Sequence, residues 1–392
     1  LEEQQPFHHR DPNPWRDFSL VFNGQLTNHN ELRDYFKREH HYEFLTGTDT
    51  EPLMHLLAEE LRKNTTDNPN LIDVFSDISR RAKGCYNIAF MDRRGRVAVF
   101  RDKNGFRPLS YAENENIFAI ASETIALRKI GFKNNEMQFV NAGELLVYDD
   151  KLKKFQLETG NKRCWCVFES IYFMNVGSKL PNSSVYRIRA KMGEAMAQIE
   201  PLKNRSDFNE FIVLAVPDTA KTATEAYARR LGLDFYQDAI IKMPFTTRAF
   251  LLMQEDRKQG LELKYETIEE IVTGRKVIVV DDSKVRGDAS KNQTASLKEC
   301  GAKEVHFRVT FPPIKYPCKY GIDFPVQEKL IAFQISKGGM PIEELERRVA
   351  EAIGCDSFKY PPKDTFLETQ AEEMKCSAKD FCLACVTEDY PV

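Results

Sequence analysis

The densest chemistry in the chain lies in KVIVVDDSKVRGDASKNQTASLKECG, Lys276 to Gly301. An apolar strand runs out at Val280 and the carboxylates of Asp281 and Asp282 follow. A short loop holds Ser283, Arg286 and Gly287, and a helix begins near Ser290. In an open parallel sheet, ligands bind beyond the carboxyl ends of the strands, which is where this acidic pair must stand. A loop entering a helix offers free backbone N–H groups and the positive end of a helix dipole, which suits a phosphate. Adjacent carboxylates suit ribose hydroxyls, or a magnesium ion shared with pyrophosphate. The combination describes a site for a phosphorylated sugar. Neither the Walker pattern nor the G-x-G-x-x-G dinucleotide fingerprint is present. An isolated Asp-Asp pair would more simply end a strand and cap a helix, and it is the whole string that outweighs this.

The cysteines are the second candidate group. Nine of them, an odd number in a long chain, do not form a disulfide framework. Cys85, Cys300, Cys355 and Cys376 stand alone, whereas Cys382 and Cys385 form a C-x-x-C and Cys164 and Cys166 are one residue apart. In a cytosolic protein such grouping favours metal or redox work.

The elements that must position these groups divide the chain in two. Up to residue 150, strand-like runs dominate: Phe18 to Phe22, Cys85 to Met91, Arg96 to Arg101, Ile117 to Ser122 and Gly143 to Tyr148. Helical spacing appears over Asn30 to Glu39 and Glu51 to Lys63. The stretch Asp149 to Arg163 has five Lys or Arg in fifteen positions and no apolar repeat, which sets a domain boundary there. Beyond it helices and strands alternate: helix Ser184 to Ile199, strand Phe211 to Val216, helix Ala220 to Leu231, a loop-rich segment Met243 to Lys264, strand Lys276 to Val280, a helix from about Ser290 to Cys300, and strand Glu304 to Thr310. Continuous β-branched runs between helices indicate a parallel sheet buried on both faces.

At 392 residues the chain is long enough for two domains with separate cores. With 42% apolar and 29% charged residues it reads as globular, and 56 Lys and Arg against 59 Asp and Glu leave no basic surplus for nucleic acid or an anionic membrane. No run approaches the length needed to span a bilayer, and LEEQQPFHHR does not read as a signal peptide, so the expectation is a cytoplasmic protein.

The string VIVVDDSKVRGDAS is similar to the phosphoribosyl pyrophosphate (PRPP) loop of type I phosphoribosyltransferases. The likeness extends in collinear order through FNGQLTNHNELR, TDTE, RDKNGFRPL, ASET, CVFESIYF, VPDT, GAKEVHFRVTFPPIKYPCKYGID and CLACVTEDYP. Over nearly its whole length the chain resembles the amidophosphoribosyltransferases. The resemblance implies an incomplete N-terminal-nucleophile (αββα-type) glutaminase domain over residues 1–150, of α+β class. An α/β type I phosphoribosyltransferase domain with a parallel sheet follows over 160–360, and a tail over 361–392 carries the C-x-x-C.

By the same resemblance, glutamine is hydrolysed in the first domain and ammonia displaces pyrophosphate from PRPP in the second, giving 5-phosphoribosylamine at the start of purine synthesis. Thr219, Asp281 and Asp282 fall where magnesium and PRPP are held, with Ser283, Arg286, Gly287 and Ser290 in the substrate loop. Arg248 matches an arginine of a flexible catalytic loop. Asn23 and Gly24 match the pair that stabilises the oxyanion, although the dipeptide alone reads as a tight turn. Asp49 matches the carboxylate that receives the α-amino group of glutamine, and locally it also reads as a helix cap. Cys166, Cys318, Cys382 and Cys385 match the ligands of a four-iron four-sulfur cluster, with four-cysteine zinc as the competing reading. Cys164 reads as a bystander. Homo-oligomers and feedback inhibition by purine nucleotides are also implied, with no nucleic-acid or membrane partner.

The chain departs from the family in three places. Members open their mature glutaminase domain with a catalytic cysteine, whereas this chain opens with Leu1 and EEQQPF aligns well inside that domain. The expectation is a fragment of a longer protein, since a half-domain beginning in mid-sheet exposes strand edges. A shortened gene product is the alternative, and as written the chain is expected to use ammonia and not glutamine. In the PRPP loop, Gly287 is followed by Asp288, Ala289 and Ser290 where hydroxyl residues are usual. Each inward-pointing change there costs about 1–3 kcal/mol, with Lys284 and Lys291 as possible offsets. Phe22 and Ala220-Lys221 are smaller departures. Together these keep open a second reading, a diverged non-catalytic paralogue that binds PRPP or nucleotides.

Overall fold

The computed structural model describes residues 4–64, 67–158, 160, 162–243, 265–324, 326–337 and 339–391. The first half is built on β1 (Phe7–His9), β2 (Phe18–Leu26), β3 (Gly84–Asp92), β4 (Val97–Arg101), β5 (Ser110–Glu113), β6 (Phe118–Ala121), β7 (Met137–Phe139), β8 (Glu144–Asp149) and β9 (Lys151–Gln156). Its helices are α1 (His29–His40), α2 (Thr50–Lys63), α3 (Leu71–Arg81) and α4 (Thr124–Lys129). An antiparallel sheet in the order β1-β2-β3-β4-β8-β9 carries α1, α2 and α3 on one face, where Phe18, Leu20 and Phe90 pack against Leu53, Leu57 and Phe75. Alternation along the strands sends Val99 and Leu146 to the other face, under a three-stranded sheet in the order β6-β5-β7. Two sheets are therefore stacked. Among the described residues the outer layer holds only the short α4 and not a full second helical layer.

The second half begins with β10 (Trp165–Cys166), a single π-helical turn at Glu169–Phe173, and the hairpin β11 (Lys179–Leu180) and β12 (Ser183–Ser184). Then come α5 (Val185–Gln198), β13 (Phe211–Ala215), α6 (Lys221–Leu231), β14 (Asp234–Tyr236), β15 (Ile240–Lys242), β16 (Tyr265–Thr267), α7 (Glu269–Val272), β17 (Lys276–Asp281), α8 (Asp288–Glu299) and β18 (Glu304–Val309). The chain finishes with α9 (Ile331–Ser336), α10 (Ile342–Ile353), β19 (Ser357–Lys359), α11 (Lys363–Met374), β20 (Phe381–Cys382) and α12 (Ala384–Thr387).

Five strands form a wholly parallel sheet in the order β14-β13-β17-β18-β19. Both faces are covered. Val213, Ile278 and Val280 meet Met196 and Tyr227 from α5 and α6, while Leu214, Val279 and Phe307 meet residues of α8 and α10 such as Leu297 and Val349. Arg308 on β18 breaks the apolar pattern and is fully buried. Its Nε and Nη2 reach Glu200 at 2.6 and 2.7 Å, and the Tyr227 hydroxyl also donates to Glu200 at 2.5 Å. Losing one partner of such a pair costs about 3–5 kcal/mol, because the other charge is left uncompensated in the sheet.

Two stretches carry structure that the sequence reading did not single out. The polar stretch Asp149 to Arg163 contains β9, which pairs residue by residue with β8 and is exposed along most of its length. Lysines suit a strand at the sheet edge, where charge blocks pairing with another chain. The tail is likewise ordered: α11 buries Phe366, Gln370, Ala371 and Met374. Among the described residues no helix is long and apolar enough to cross a membrane.

Candidate functional site

Register assembles the candidate sugar-phosphate site. β13 and β17 pair in parallel with Ala215 opposite Val280, and the Val216 N–H donates to the Val280 carbonyl at 3.0 Å. The two loops that follow therefore leave the sheet side by side. Thr219 Oγ1 donates to Asp282 Oδ2, and Ser283 Oγ donates to Asp282 Oδ1 at 2.9 Å. Asp281 accepts from the Asp282 N–H at 2.9 Å through Oδ1 and from Lys284 Nζ at 2.6 Å through Oδ2. Lys284 Nζ also bonds Ser290 Oγ, at the first turn of α8. Burial, reinforced by the neighbouring Asp281, pushes the Asp282 carboxyl up to about 7.

Gly287 sets the entry to α8. Its φ of +90° is one that other residues resist, and a Cβ there would lie 2.6 Å from Ile331 Cδ1. No side chain caps α8, so its first N–H groups are left for a ligand. Arg286 and Asp288 are exposed beside them, and Ser290 is buried. Beneath the site, Arg189 from α5 donates to the carbonyls of Ser170 (3.0 Å), Tyr172 (3.2 Å), Met174 (2.6 Å) and Thr219 (3.5 Å), tying the π-helical turn to the β13 loop. Burial, and then the charges of Asp282 and Asp281, push the Tyr172 phenol up. Arg248 lies outside the described residues.

In the first half, Asn23 and Gly24 lie inside β2, opposite Asn87 and Tyr86 of β3. The tight-turn alternative fails. Glycine is required there by close approach, since a Cβ on Gly24 would sit 2.0 Å from the Cys85 carbonyl oxygen. Asn23 Oδ1 accepts from Arg107 Nη1 at 2.6 Å and Asn23 Nδ2 donates to Ser122 Oγ at 3.1 Å. A guanidinium only donates, so Arg107 fixes the amide with its NH2 turned away. The Asp49 side chain makes no cap bond to α2; its Oδ2 accepts from the Leu26 N–H at 2.8 Å, and burial raises its carboxyl. Arg33, which donates to the carbonyls of Thr46 and Thr48, and Glu51, which accepts from the Leu45 and Thr46 N–H groups, fold the loop that carries it.

The four grouped cysteines come from separated segments. Cys166 on β10 lies opposite Cys382 on β20, and the Lys315 and Tyr316 N–H groups donate to the Cys385 carbonyl at 2.9 and 3.0 Å, which draws the Cys318 loop alongside. The Cys166 thiol is pushed up by burial and then by Glu169, Cys382, Cys318 and Cys385, so the four sulfurs share one neighbourhood. Among the described residues, however, no three His, Cys, Asp or Glu side chains are arranged to hold a single metal ion. Cys164 is buried at this edge, with Sγ 3.6 Å from the Lys162 carbonyl.

Residues 1–129 match a family model described as a glutamine amidotransferase domain. An amidophosphoribosyltransferase of Archaeoglobus fulgidus is 32% identical over 394 residues, covering 100% of this chain and 80% of that protein. One from Pyrococcus horikoshii is 32% identical over 373 residues, 95% of this chain and 76% of that protein. The chain belongs to the amidophosphoribosyltransferase family. The solved glutamine PRPP amidotransferase from B. subtilis, complexed with ADP and GMP, superposes with a TM-score of 0.84 at 30% identity, covering all of this chain and 80% of that one.

Three residues escaped the sequence reading of this family member. Arg107 was visible only as part of RDKNGFRPL; its Nη2 also donates to the carbonyls of Tyr320 (3.2 Å) and Gly321 (2.7 Å), across the two halves. Tyr172 was visible only as part of CVFESIYF, and Arg189 lay in a helical segment with nothing local to set it apart. For Asp282 the raised carboxyl has a direct consequence. A protonated carboxyl does not ligate a cation, so if magnesium and PRPP bind at this pair their affinity should rise with pH, by up to about tenfold per unit below about 7, and level off above. Stability moves the other way, falling as pH rises from about 4 to 7, because the folded chain holds the proton more tightly than the unfolded one. Calorimetric titration between pH 6 and 8.5 checks this, and flat PRPP affinity across the range would contradict it.

Proposed function

We propose that this chain transfers a phosphoribosyl group from PRPP to nitrogen supplied by glutamine or ammonia, forming 5-phosphoribosylamine and pyrophosphate as the first committed step of purine synthesis. The observation that carries the reading is the meeting of Thr219 with the Asp281–Asp282 pair beside the uncapped start of α8. Nitrogen attacks C1 of the ribose as the bond from C1 to the pyrophosphate oxygen breaks, so negative charge gathers on the leaving group. Thr219, Asp281 and Asp282 supply hard oxygen donors that fit magnesium, which completes its shell with water and phosphate oxygens. An ion held by these residues would supply charge neutralisation for the departing pyrophosphate. The N–H groups opening α8 hold the 5′-phosphate, and Arg248 is assigned a catalytic part on the family resemblance alone. In the first half the Asn23 amide and the Gly24 N–H receive the oxyanion of glutamine hydrolysis, and Asp49 receives its α-ammonium. Domains divide near residues 150–160, with residues from 361 on as the cluster-bearing tail.

The second reading, a PRPP- or nucleotide-binding paralogue without turnover, is favoured by one feature, the exposed Asp288 carboxylate at the first turn of α8. Pyrophosphate release from PRPP and magnesium, with ammonium chloride and glutamine as separate nitrogen donors, decides between them. The enzyme reading expects turnover with ammonia, lowered about a hundredfold or more in Asp282→Asn, as loss of an ion worth several kcal/mol requires, and little gain in Asp288→Thr. No release from folded protein, with PRPP binding greatly strengthened by Asp288→Thr, would overturn it.

For the cysteines we propose a four-iron four-sulfur cluster in a structural role on Cys166, Cys318, Cys382 and Cys385. The family resemblance of CVFE, YPCKYG and CLAC places it ahead of zinc, since four cysteines by themselves fit either. Anaerobically purified protein should carry iron and sulfide at about four each per chain, lost in Cys382→Ser. Stoichiometric zinc without iron would refute the assignment. Regulation by purine nucleotides is proposed on the likeness to the B. subtilis enzyme complexed with ADP and GMP, and a homo-oligomer is proposed on the family resemblance alone.

A further inference from the structure

The PRPP loop encloses a cation of its own. Lys284 sits between the end of β17 and the start of α8 with its side chain 3% exposed. Its ammonium lies 2.6 Å from Asp281 Oδ2, bonds Ser290 Oγ, and stands 4.9 Å from the centre of the Phe307 ring on β18. Every direction open to this ammonium is thus filled from within the protein: a carboxylate, a hydroxyl and an aromatic face. A buried lysine is expensive unless paired, and an unbranched apolar side chain of similar length would fill the same slot without the charge. The charge is therefore the feature to explain.

We propose that Lys284 is a built-in counter-ion for the acidic pair, a positioning residue that neutralises Asp281 and ties the strand end to the helix start. The loop then keeps its shape without a divalent ion. Magnesium arriving at Thr219 and Asp282 meets one net negative charge from the pair instead of two. The cost is weaker intrinsic affinity for the ion, and the benefit is a phosphate cradle already formed when substrate arrives. The inference rests on the reading of Asp281 and Asp282 as the magnesium and PRPP site.

The test is calorimetric titration of magnesium chloride alone into the full chain, wild type and Lys284→Met. Removing a cation held 2.6 Å from a carboxylate should tighten magnesium binding about tenfold or more. A folded Lys284→Met protein that binds magnesium no more tightly than wild type overturns the proposal. If Lys284→Met does not fold, the double variant Asp281→Asn/Lys284→Met, neutral at both positions, decides. Recovery of folding supports the counter-ion role, whereas a double variant equally unfolded assigns Lys284 to packing and overturns it. A separate titration of wild type with PRPP reads the underlying site assignment, so absence of PRPP binding would sink that reading while the folding and magnesium comparison still judges Lys284.

Discussion

Two neighbouring carboxylates at the end of a buried strand are the constraint around which the second half is organised. Placing Asp281 and Asp282 at the rim of a parallel sheet sets like charges together where water is scarce, which is unfavourable unless the surroundings answer it. The answer comes from three sides: the Thr219 and Ser283 hydroxyls on Asp282, and the Lys284 ammonium on Asp281. Ser283 and Lys284 reach the pair from within its own loop, whereas Thr219 is brought there by the register that sets Ala215 beside Val280. The buried Glu200–Arg308 pair, with Tyr227, braces the same strands from the face covered by α5 and α6.

The other organising contact joins the halves. Arg107 holds the Asn23 amide with one nitrogen and the Tyr320 and Gly321 carbonyls with another, while its Nε lies 3.8 Å from Glu169. Glu169 opens the π-helical turn whose carbonyls are gripped by Arg189, and Arg189 reaches Thr219. Tyr320 lies two residues from Cys318, and its N–H donates to the Cys318 sulfur at 3.2 Å. One continuous set of hydrogen bonds and packed turns therefore runs from the amide of the first half, past the cysteines, to the acidic pair of the second.

Much of this was legible in the sequence, where a single physical pattern was sufficient. The runs at Phe211 and Lys276 had to be strands buried on both faces, and the Asp281–Gly287 loop had to leave the sheet at its carboxyl edge. Asn23-Gly24 was locally ambiguous. The pair favours a turn in isolation, and only pairing with β3, where no Cβ fits at Gly24, holds it extended. β9 was hidden because a solvated edge strand rich in lysine carries no apolar alternation. In α11 the buried stripe includes Gln370, whose Oε1 accepts from Ser170 Oγ some 200 positions earlier, so polarity masked the period. Arg107, Arg189 and Lys284 owe their roles to partners distant in sequence or to burial, and neither is written in the local string.

The central claim is that Thr219 and the Asp281–Asp282 pair form the PRPP site, and direct binding tests it without relying on either nitrogen donor. PRPP titrated in the presence of magnesium into wild type and into folded Asp282→Asn should give saturable single-site binding to the first and a loss of at least about a hundredfold in the second. Equal binding to both proteins, or none to the wild type, would contradict the account.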